Sequence, residues 1–308
     1  MIRVVFVAGS GRSGTTLIDR LLGRARGAFS AGELQYVWGR GFLRNELCGC
    51  GEPVRSCGTW RAIADAIGPM TTDPRRLEAL IADRRRVLSL AGAVPGAHSA
   101  ARARYRAALA ELYAAIAAET GATTIIDSSK NALYGAQVAR LPGVRLSVVH
   151  VVRDSRAVAY SWASKKERNQ PGEAFMVRHG ALGSTARWVA HNVLAERLAA
   201  HADTYVRVMY ERLAEDPAAA LAHVSRELEL ELPPGFAETG TVELPPDHTC
   251  AGNPSRFQVG SVAIRPDVRW RGDYPRHLRW AVAGMSWPWL VRYGYRIRSD
   301  QHEDNASG

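Results

Sequence analysis

Long apolar runs alternate with segments of helical periodicity along this chain. Four runs have the length of a buried strand and lie at residues 2–8, 123–126, 144–152 and 205–209. Helical periodicity covers residues 15–22, a segment up to 139, a segment from 155, and residues 185–200, 218–229 and 275–292. The run at 144–152 is almost continuously apolar, which is typical of parallel strands buried on both faces. Strands that alternate with helices predict an α/β fold with a three-layer, doubly wound, parallel β-sheet.

The remaining residues predict an insertion and several loops. Residues 60–120 are helical throughout and predict a helical insertion over the sheet edge. Three segments lack a regular pattern and are predicted to be loops, namely residues 28–58, 165–183 and 231–262. We expect the loop at 165–183 to be mobile. The length fits one large domain with insertions or two small domains. We place a single domain at residues 1–298, followed by a disordered tail at 299–308.

The chain is strongly basic. Its 308 residues carry a formal net charge of +10, and its isoelectric point is about 9.8. Because several Arg and Lys residues fall within motifs rather than in runs, the charge favours an anionic ligand over a merely solvated basic face. Motifs for nucleic-acid binding are absent from the sequence, so we expect no nucleic-acid partner. No window of 18 apolar residues predicts a membrane span.

The two ends of the chain bear on its location. Residues 2–8 already read as a strand and no signal-peptide pattern is present. Together with the composition, which is rich in Arg and Ala, this leads us to expect a cytoplasmic, bacterial protein. Residues 280–295 are rich in aromatic side chains and contain Pro288. We expect them to pack as a terminal helix, with peripheral contact to a membrane surface as the alternative. The sequence gives no indication of the oligomeric state.

Three of the four cysteines lie close together in the sequence. They are Cys48, Cys50 and Cys57, whereas Cys250 is distant. The C-x-C-x6-C spacing could form a zinc site if Cys250 or a histidine supplied a fourth ligand. It could also hold a local disulfide, or consist only of small residues in a Gly-rich turn. The sequence leaves these three alternatives open.

A phosphate-binding loop follows the first strand. Residues 9–16 read GSGRSGTT, which is a Walker A motif with Thr15 in place of its lysine. Glycines between a strand and a helix let backbone N–H groups converge on an anion, and the helix N-terminus adds partial positive charge. Phosphate binding therefore survives the loss of the lysine. We expect the anion to be held by Ser10, Gly11, Arg12, Ser13, Gly14, Thr15 and Thr16.

A second anion site is predicted after the strand at 144–152. This strand ends VVHVVRD, which places Arg153 where a Walker B acid would hold Mg²⁺, and Ser161 follows two helical turns later. Arg153 and Ser161 could share one phosphate, although Arg153 could equally pair with Asp154 at a helix cap. Two anion sites at two strand ends suit a nucleotide phosphorylated at two places. A nucleotide or sugar kinase with a degenerate loop, and a non-catalytic basic binding protein, are the alternatives.

The two motifs together resemble those of the sulfotransferases that use 3′-phosphoadenosine 5′-phosphosulfate (PAPS). The loop GSGRSGTT resembles their 5′-phosphosulfate loop, and VVRDSRAVAYSW resembles their 3′-phosphate motif. The coil CAGNPSRFQVGSVAIRPDVRW looks like the C-terminal segment of bacterial members. The resemblance implies PAPS as sulfuryl donor, Arg153 and Ser161 as 3′-phosphate ligands, and no required metal. It also implies a hydroxyl acceptor, which could be a carbohydrate, a lipid or another small molecule.

The catalytic residues are predicted from strand ends and from the same resemblance. Lys130, in DSSKN, follows the strand at 123–126 at the sheet edge where such folds bind ligands, and it matches the lysine of tyrosylprotein-type members. Glu33, in AGELQYVW, resembles the glutamate base of those members, with His98 as the alternative base. We expect Arg12 to assist Lys130 on the leaving-group side. Arg256, in the C-terminal coil, is predicted to bind the nucleotide.

Overall fold

A parallel sheet forms the centre of the fold in this computed structural model, which describes residues 1–89, 94, 96–165, 167–170 and 173–296. Within them the strands are β1 (Ile2–Gly9), β2 (Ala28–Gly32), β3 (Thr124–Lys130), β4 (Val144–Val152), β5 (Glu167–Gln170), β6 (Glu173–Phe175), β7 (Thr204–Met209), β8 (Thr241–Leu244) and β9 (Gly260–Ala263). Five of these strands form the sheet, in the order β2-β3-β1-β4-β7. All of its neighbouring strands are parallel.

Helices cover both faces of this sheet. They are α1 (Thr15–Leu22), α2 (Gly58–Ile67), α3 (Pro69–Thr72), α4 (Pro74–Val87), α5 (Ser99–Thr120), α6 (Ala132–Val138), α7 (Ser155–Ala163), α8 (Ala181–Leu198), α9 (Tyr210–Glu215), α10 (Pro217–Glu227), α11 (Trp270–Asp273) and α12 (Arg276–Arg292). A π-helix covers Val37–Leu43. The predicted α/β fold with three layers is therefore confirmed.

Alternate side chains of β1 explain why its run is apolar without interruption. Val4 and Phe6 belong to the core beneath α5, α6 and α8, whereas Val5 and Val7 belong to the core beneath α1 and α10. Because all four side chains are fully buried, neither face of the strand tolerates a polar residue. The four predicted strands are confirmed as β1, β3, β4 and β7.

Three segments predicted to be loops contain strands, so those predictions are wrong in part. Residues 28–58 contain β2, which pairs with β3 alone at the sheet edge. Its sequence AFSAG consists mostly of small residues and shows no long apolar run. The hairpin β5–β6 lies within 165–183, and the hairpin β8–β9 begins within 231–262 and ends at Ala263. Helix α8 also begins at Ala181, earlier than the predicted start at 185.

The helical insertion and the terminal helix are both present. In the insertion, α4 packs on the π-helix, and α5 contacts β3 and β1, so the insertion reaches from the sheet edge onto one face. Helix α12 is the predicted terminal helix; it packs on α7 and α8 but leaves Trp280 and Trp287 exposed. No helix in the described ranges has the length and apolar character to cross a membrane. The predicted tail at 299–308 lies outside the described residues.

Candidate active site

A large cavity lies at the carboxyl ends of β1, β3 and β4. Its volume is ≈ 1160 Å³, and its wall brings together most of the residues that the sequence singles out. These are Ser10, Gly11, Arg12, Gly14, Thr15, Thr16, Glu33, Lys130, Arg153 and Ser161. The carboxyl ends of parallel strands are where open α/β sheets bind their ligands. Ser13 lies in the same loop and is fully buried.

Two glycines of the loop between β1 and α1 are required by close packing. A Cβ atom at Gly9, whose φ is +134°, would lie 2.3 Å from the carbonyl oxygen of Val151. A Cβ atom at Gly14, whose φ is +88°, would lie 2.6 Å from the Tyr210 ring. Both distances are shorter than any real contact, and both backbone conformations favour glycine. The loop is therefore held against β4 on one side and against Tyr210 on the other.

Buried hydrogen-bond donors around this loop point to an anionic ligand. Arg12 Nε and Nη1, Ser13 Oγ and Arg153 Nε are buried and have no hydrogen-bond partner within the described residues. A buried donor left unpaired costs about 1–3 kcal/mol, and more when it is charged. Phosphate and sulfate oxygens would accept from these groups, so the residues fit a phosphosulfate ligand. Burial lowers the pKa of Arg12, an effect that the negative charge of Glu33 opposes.

The two predicted anion sites are joined in the structure. Strands β1 and β4 are neighbours, with Gly9 opposite Val151, so the loop and Arg153 emerge side by side. Arg153 Nη1 donates a hydrogen bond to the Arg12 carbonyl oxygen at 3.0 Å. The Arg153 guanidinium also stacks on the Tyr210 ring at 4.4 Å and forms an ion pair with Asp267 at 3.3 Å. Ser161, on α7, is buried and lines the same cavity.

Glu33 and Lys130 form an ion pair inside the cavity. Lys130 Nζ donates hydrogen bonds to Glu33 Oε1 and, at 3.3 Å, to the Ser128 carbonyl oxygen. Each of the two side chains is 13% exposed. Lys130 ends β3 in a left-handed conformation, with φ at 66°. Glu33 directly follows β2, so the pairing of β2 with β3 brings the two side chains together.

Two buried carboxyl groups hold the strand ends that carry this pair. Asp19 on α1 accepts hydrogen bonds from Ser30 of β2 and Ser128 of β3, both at 2.5 Å. Burial raises the pKa of Asp19 to about 7 against the opposing effect of these hydrogen bonds. Burial likewise raises the pKa of Asp127 to about 6. Asp19 therefore links α1, β2 and β3 beneath the phosphate loop.

The structure does not bring two of the predicted residues to the cavity. His98 is exposed, at the start of α5, and it is not among the residues that line the cavity. Arg256 is buried, and its guanidinium donates to the carbonyl oxygens of Leu47 and Thr249, both at 2.5 Å. The predicted nucleotide contact of Arg256 therefore does not fit its position. Arg265 of the same coil does line the cavity.

Several cavity residues carry no signal in the sequence. His191, on α8, lines the cavity, and its pKa is lowered first by burial and then by the charge of Lys130. It interrupts the apolar stretch WVAHNVL, and a histidine packed in the core would give the same sequence pattern. Arg residues on or next to three elements add positive charge to the cavity wall; they are Arg40, Arg44, Arg84, Arg85 and Arg187. Their convergence depends on how α4, α8 and the π-helix pack, which no local pattern encodes.

The chain and its fold are similar to those of known proteins. A model described as the sulfotransferase family matches residues 4–234. No curated protein matches the chain. The structure is similar to the sulfotransferase domain of the Synechococcus PCC 7002 olefin synthase, with 19% identity, a TM-score of 0.52, and 94% of each chain covered. It is also similar to the sulfotransferase domain of the curacin biosynthetic pathway, with 15% identity, a TM-score of 0.51, and 96% and 99% of the two chains covered. At these identities the similarity concerns the fold.

Proposed function

Because the chain belongs to the sulfotransferase family, we propose that it transfers a sulfuryl group from PAPS to a hydroxyl group of an acceptor, with residues 1–298 as one catalytic domain. The observation that carries the proposal is the set of unpaired buried donors on Arg12, Ser13 and Arg153. Arg12 and Arg153 line one cavity, and Arg153 donates to the Arg12 carbonyl oxygen, so the two predicted anion sites would adjoin. A nucleotide with phosphates at both its 5′ and 3′ positions has the matching charges.

The donor would occupy both sites at once. The loop amides and the hydroxyl groups of Thr15 and Thr16 would bind the 5′-phosphosulfate, with the positive end of α1 beneath it. Arg153 and Ser161 would bind the 3′-phosphate. A guanidinium that is nearly buried forms stronger charge-assisted hydrogen bonds than an exposed one. This donor carries no γ-phosphate, so the loop functions without the Walker lysine and without a metal ion.

The transfer would be an in-line displacement at sulfur. The acceptor oxygen forms a bond to sulfur, the bond from sulfur to the 5′-phosphate oxygen breaks, and the electron pair stays on that phosphate. Lys130 and Arg12 would stabilise the negative charge that builds on the leaving oxygen. Glu33 would take the acceptor proton as general base. In the present structure Lys130 is bound to Glu33, so both groups are held at the same point of the cavity wall.

The acceptor is the least defined partner, but the cavity wall restricts its chemistry. Arg84 stacks on Tyr36 at 4.5 Å, and Arg85 and Arg187 lie on the same wall. Arg40 is bound to Glu46. The excess of positive charge favours a carbohydrate, lipid or other small molecule that carries a negative group besides its hydroxyl. Peripheral contact with a membrane through the exposed Trp280 and Trp287 remains a prediction, as does a cytoplasmic location.

Calorimetric titration tests the proposed donor. Adenosine 3′,5′-bisphosphate, the product left by PAPS, should bind equally well with EDTA and with Mg²⁺. ATP should bind far more weakly, and Mg²⁺ should not restore its affinity. Binding of ATP that requires Mg²⁺, together with weak binding of the bisphosphate, would favour the kinase alternative instead. Failure of both nucleotides to bind would leave a non-catalytic binding protein.

A further inference from the structure

Three cysteines and a histidine that are distant in the sequence meet outside the cavity. They are Cys48, Cys50, Cys57 and His248, and their ligand atoms all lie within 4.8 Å of one another. His248 Nδ1 lies 3.3 Å from Cys57 Sγ and 3.8 Å from Cys48 Sγ. Zinc bonds of ~2.3 Å to sulfur and ~2.0–2.1 Å to nitrogen give tetrahedral edges of about 3.6–3.8 Å. The two distances from His248 Nδ1 bracket these edges, and the four atoms are close enough together to converge on one zinc ion.

The backbone presents the sulfur atoms from a tight turn and a helix start. Leu47 and Pro53 form an isolated β-bridge, and inside it Cys48 N–H donates to the Glu52 carbonyl oxygen at 2.7 Å. Cys48 and Cys50 project from this turn, and Cys57 immediately precedes α2. Trp60 Nε1, on α2, donates a hydrogen bond to the His248 carbonyl oxygen at 2.7 Å. This contact holds the backbone that carries the imidazole, as supporting hydrogen bonds around metal ligands do.

A buried cation lies beside the cluster, in which Cys48 and Cys57 are themselves buried. Arg256 is also buried, and its guanidinium donates to the carbonyl oxygens of Leu47 and Thr249, the residues next to Cys48 and His248. A Zn²⁺ ion with three thiolates and a neutral imidazole carries one net negative charge. That charge would compensate the buried Arg256 cation, which explains its place here rather than in the cavity.

We propose that Cys48, Cys50, Cys57 and His248 bind one structural zinc ion. Each thiol loses its proton to solvent as its sulfur coordinates the metal, and no oxidant is needed. Four protein ligands leave no open coordination position, so the site is structural rather than catalytic. His248 supplies the fourth ligand that the cysteine spacing required. Cys250 packs instead under Gly41, whose added Cβ would lie 2.9 Å from Cys250 Sγ.

The site would fasten the C-terminal coil to the rim of the cavity. Three residues after His248, the Ala251 carbonyl oxygen accepts a hydrogen bond from Glu33 N–H at 3.1 Å. A Cβ atom at Gly252 would lie 3.7 Å from Glu33 Oε1 and 3.8 Å from Thr16 Oγ1. The coil therefore reaches both the phosphate loop and Glu33. Zinc at its base would fix this coil against the turn at 46–54.

Metal analysis of the full-length protein tests the proposal. Protein expressed with added zinc and dialysed against metal-free buffer should retain about one zinc ion per chain. Substituted Co²⁺ should show the intense visible bands of tetrahedral coordination and a thiolate charge-transfer band. Cys57→Ser should lose the metal, whereas the control Cys250→Ser should keep it. His248→Ala should weaken binding, and His248→Cys should restore it.

The opposite results are equally clear. A chain that retains no zinc and gives no tetrahedral Co²⁺ spectrum, or one in which mass spectrometry finds Cys48 joined to Cys57 as a disulfide, would overturn the proposal. Equal metal content in wild type and Cys57→Ser would do the same. If the cysteine variants fail to fold, the Co²⁺ spectrum of the wild-type protein decides. The metal content is independent of nucleotide binding, so this proposal can fail while the sulfotransferase assignment stands.

Discussion

Lys130 Nζ donates a hydrogen bond to Glu33 Oε1 across two neighbouring strands of the sheet. Glu33 follows β2 and Lys130 ends β3, and Asp19 links both strands to α1 through Ser30 and Ser128. The proposed base and the proposed leaving-group cation are thus held by one buried framework. Their roles can be separated by substituting each in turn.

Replacement of Glu33 by glutamine should lower turnover by about 10²-fold or more and leave nucleotide affinity close to that of the wild type. Glutamine keeps the size and a hydrogen-bond acceptor for Lys130 but cannot take the acceptor proton. The measurements are kcat with PAPS and calorimetry with adenosine 3′,5′-bisphosphate. His98→Gln is the control and should be nearly unchanged, because His98 is exposed at the start of α5. Near-normal turnover of Glu33→Gln would remove the role from Glu33 and direct attention to His191.

Replacement of Lys130 by alanine should lower turnover by about 10²–10³-fold with little change in donor affinity. The reason is that charge builds on the leaving oxygen only in the transition state. Single-turnover kinetics at saturating PAPS measure this effect without product release. A variant with weakened donor binding and unchanged turnover at saturation would show that Lys130 binds the ground state instead.

Arg153→Ala should weaken adenosine 3′,5′-bisphosphate but hardly affect adenosine 5′-phosphate. Loss of a buried charge-assisted contact costs about 2–4 kcal/mol, or roughly 30- to 1000-fold in affinity. Calorimetry with both nucleotides checks the difference. Arg145→Ala, an exposed arginine on β4, is the matched control. The assignment of Arg153 to the 3′-phosphate is wrong if both nucleotides lose affinity equally.

Asp19→Asn should reduce the pH dependence of stability. The pKa of Asp19 is raised by burial to about 7 in the folded protein, against roughly 3.9 for an unfolded chain. The folded state therefore binds more protons between these values, and the contribution of Asp19 falls as pH rises from about 4 to about 7. Urea unfolding of both proteins across this range measures it. As pH rises across this range, the unfolding free energy of the wild type should fall relative to that of the variant. The exposed Asp65→Asn should show no such shift, and a flat difference for Asp19→Asn would contradict the prediction.

The sequence predicts those parts of the fold in which nearly every residue of a segment is buried and therefore apolar. Strand β4 can be predicted from the sequence because nearly all its side chains are buried. Strand β2 is not, because it is short and made mostly of small residues. The anion sites follow from strand ends, since parallel strands end at one edge. His248 lies 191 residues after Cys57, so only the tertiary fold reveals their contact. The nucleotide contact predicted for Arg256 does not fit the structure, because the coil turns that side chain inward, toward the Leu47 carbonyl oxygen.

Asp267 forms an ion pair with Arg153 and would therefore compete with a bound phosphate for the Arg153 guanidinium. Hydrogen bonding to Arg269, together with the charge of Arg153, lowers the pKa of Asp267 to about 2, so this carboxylate remains charged at every working pH. In the proposed donor complex, a phosphate at Arg153 would bind Nε, which has no partner in the described part of the chain, and would share the guanidinium with this carboxylate on Nη2. The carboxylate already neutralises part of the positive charge, so the affinity that a phosphate gains from Arg153 would be smaller than that from a bare cation.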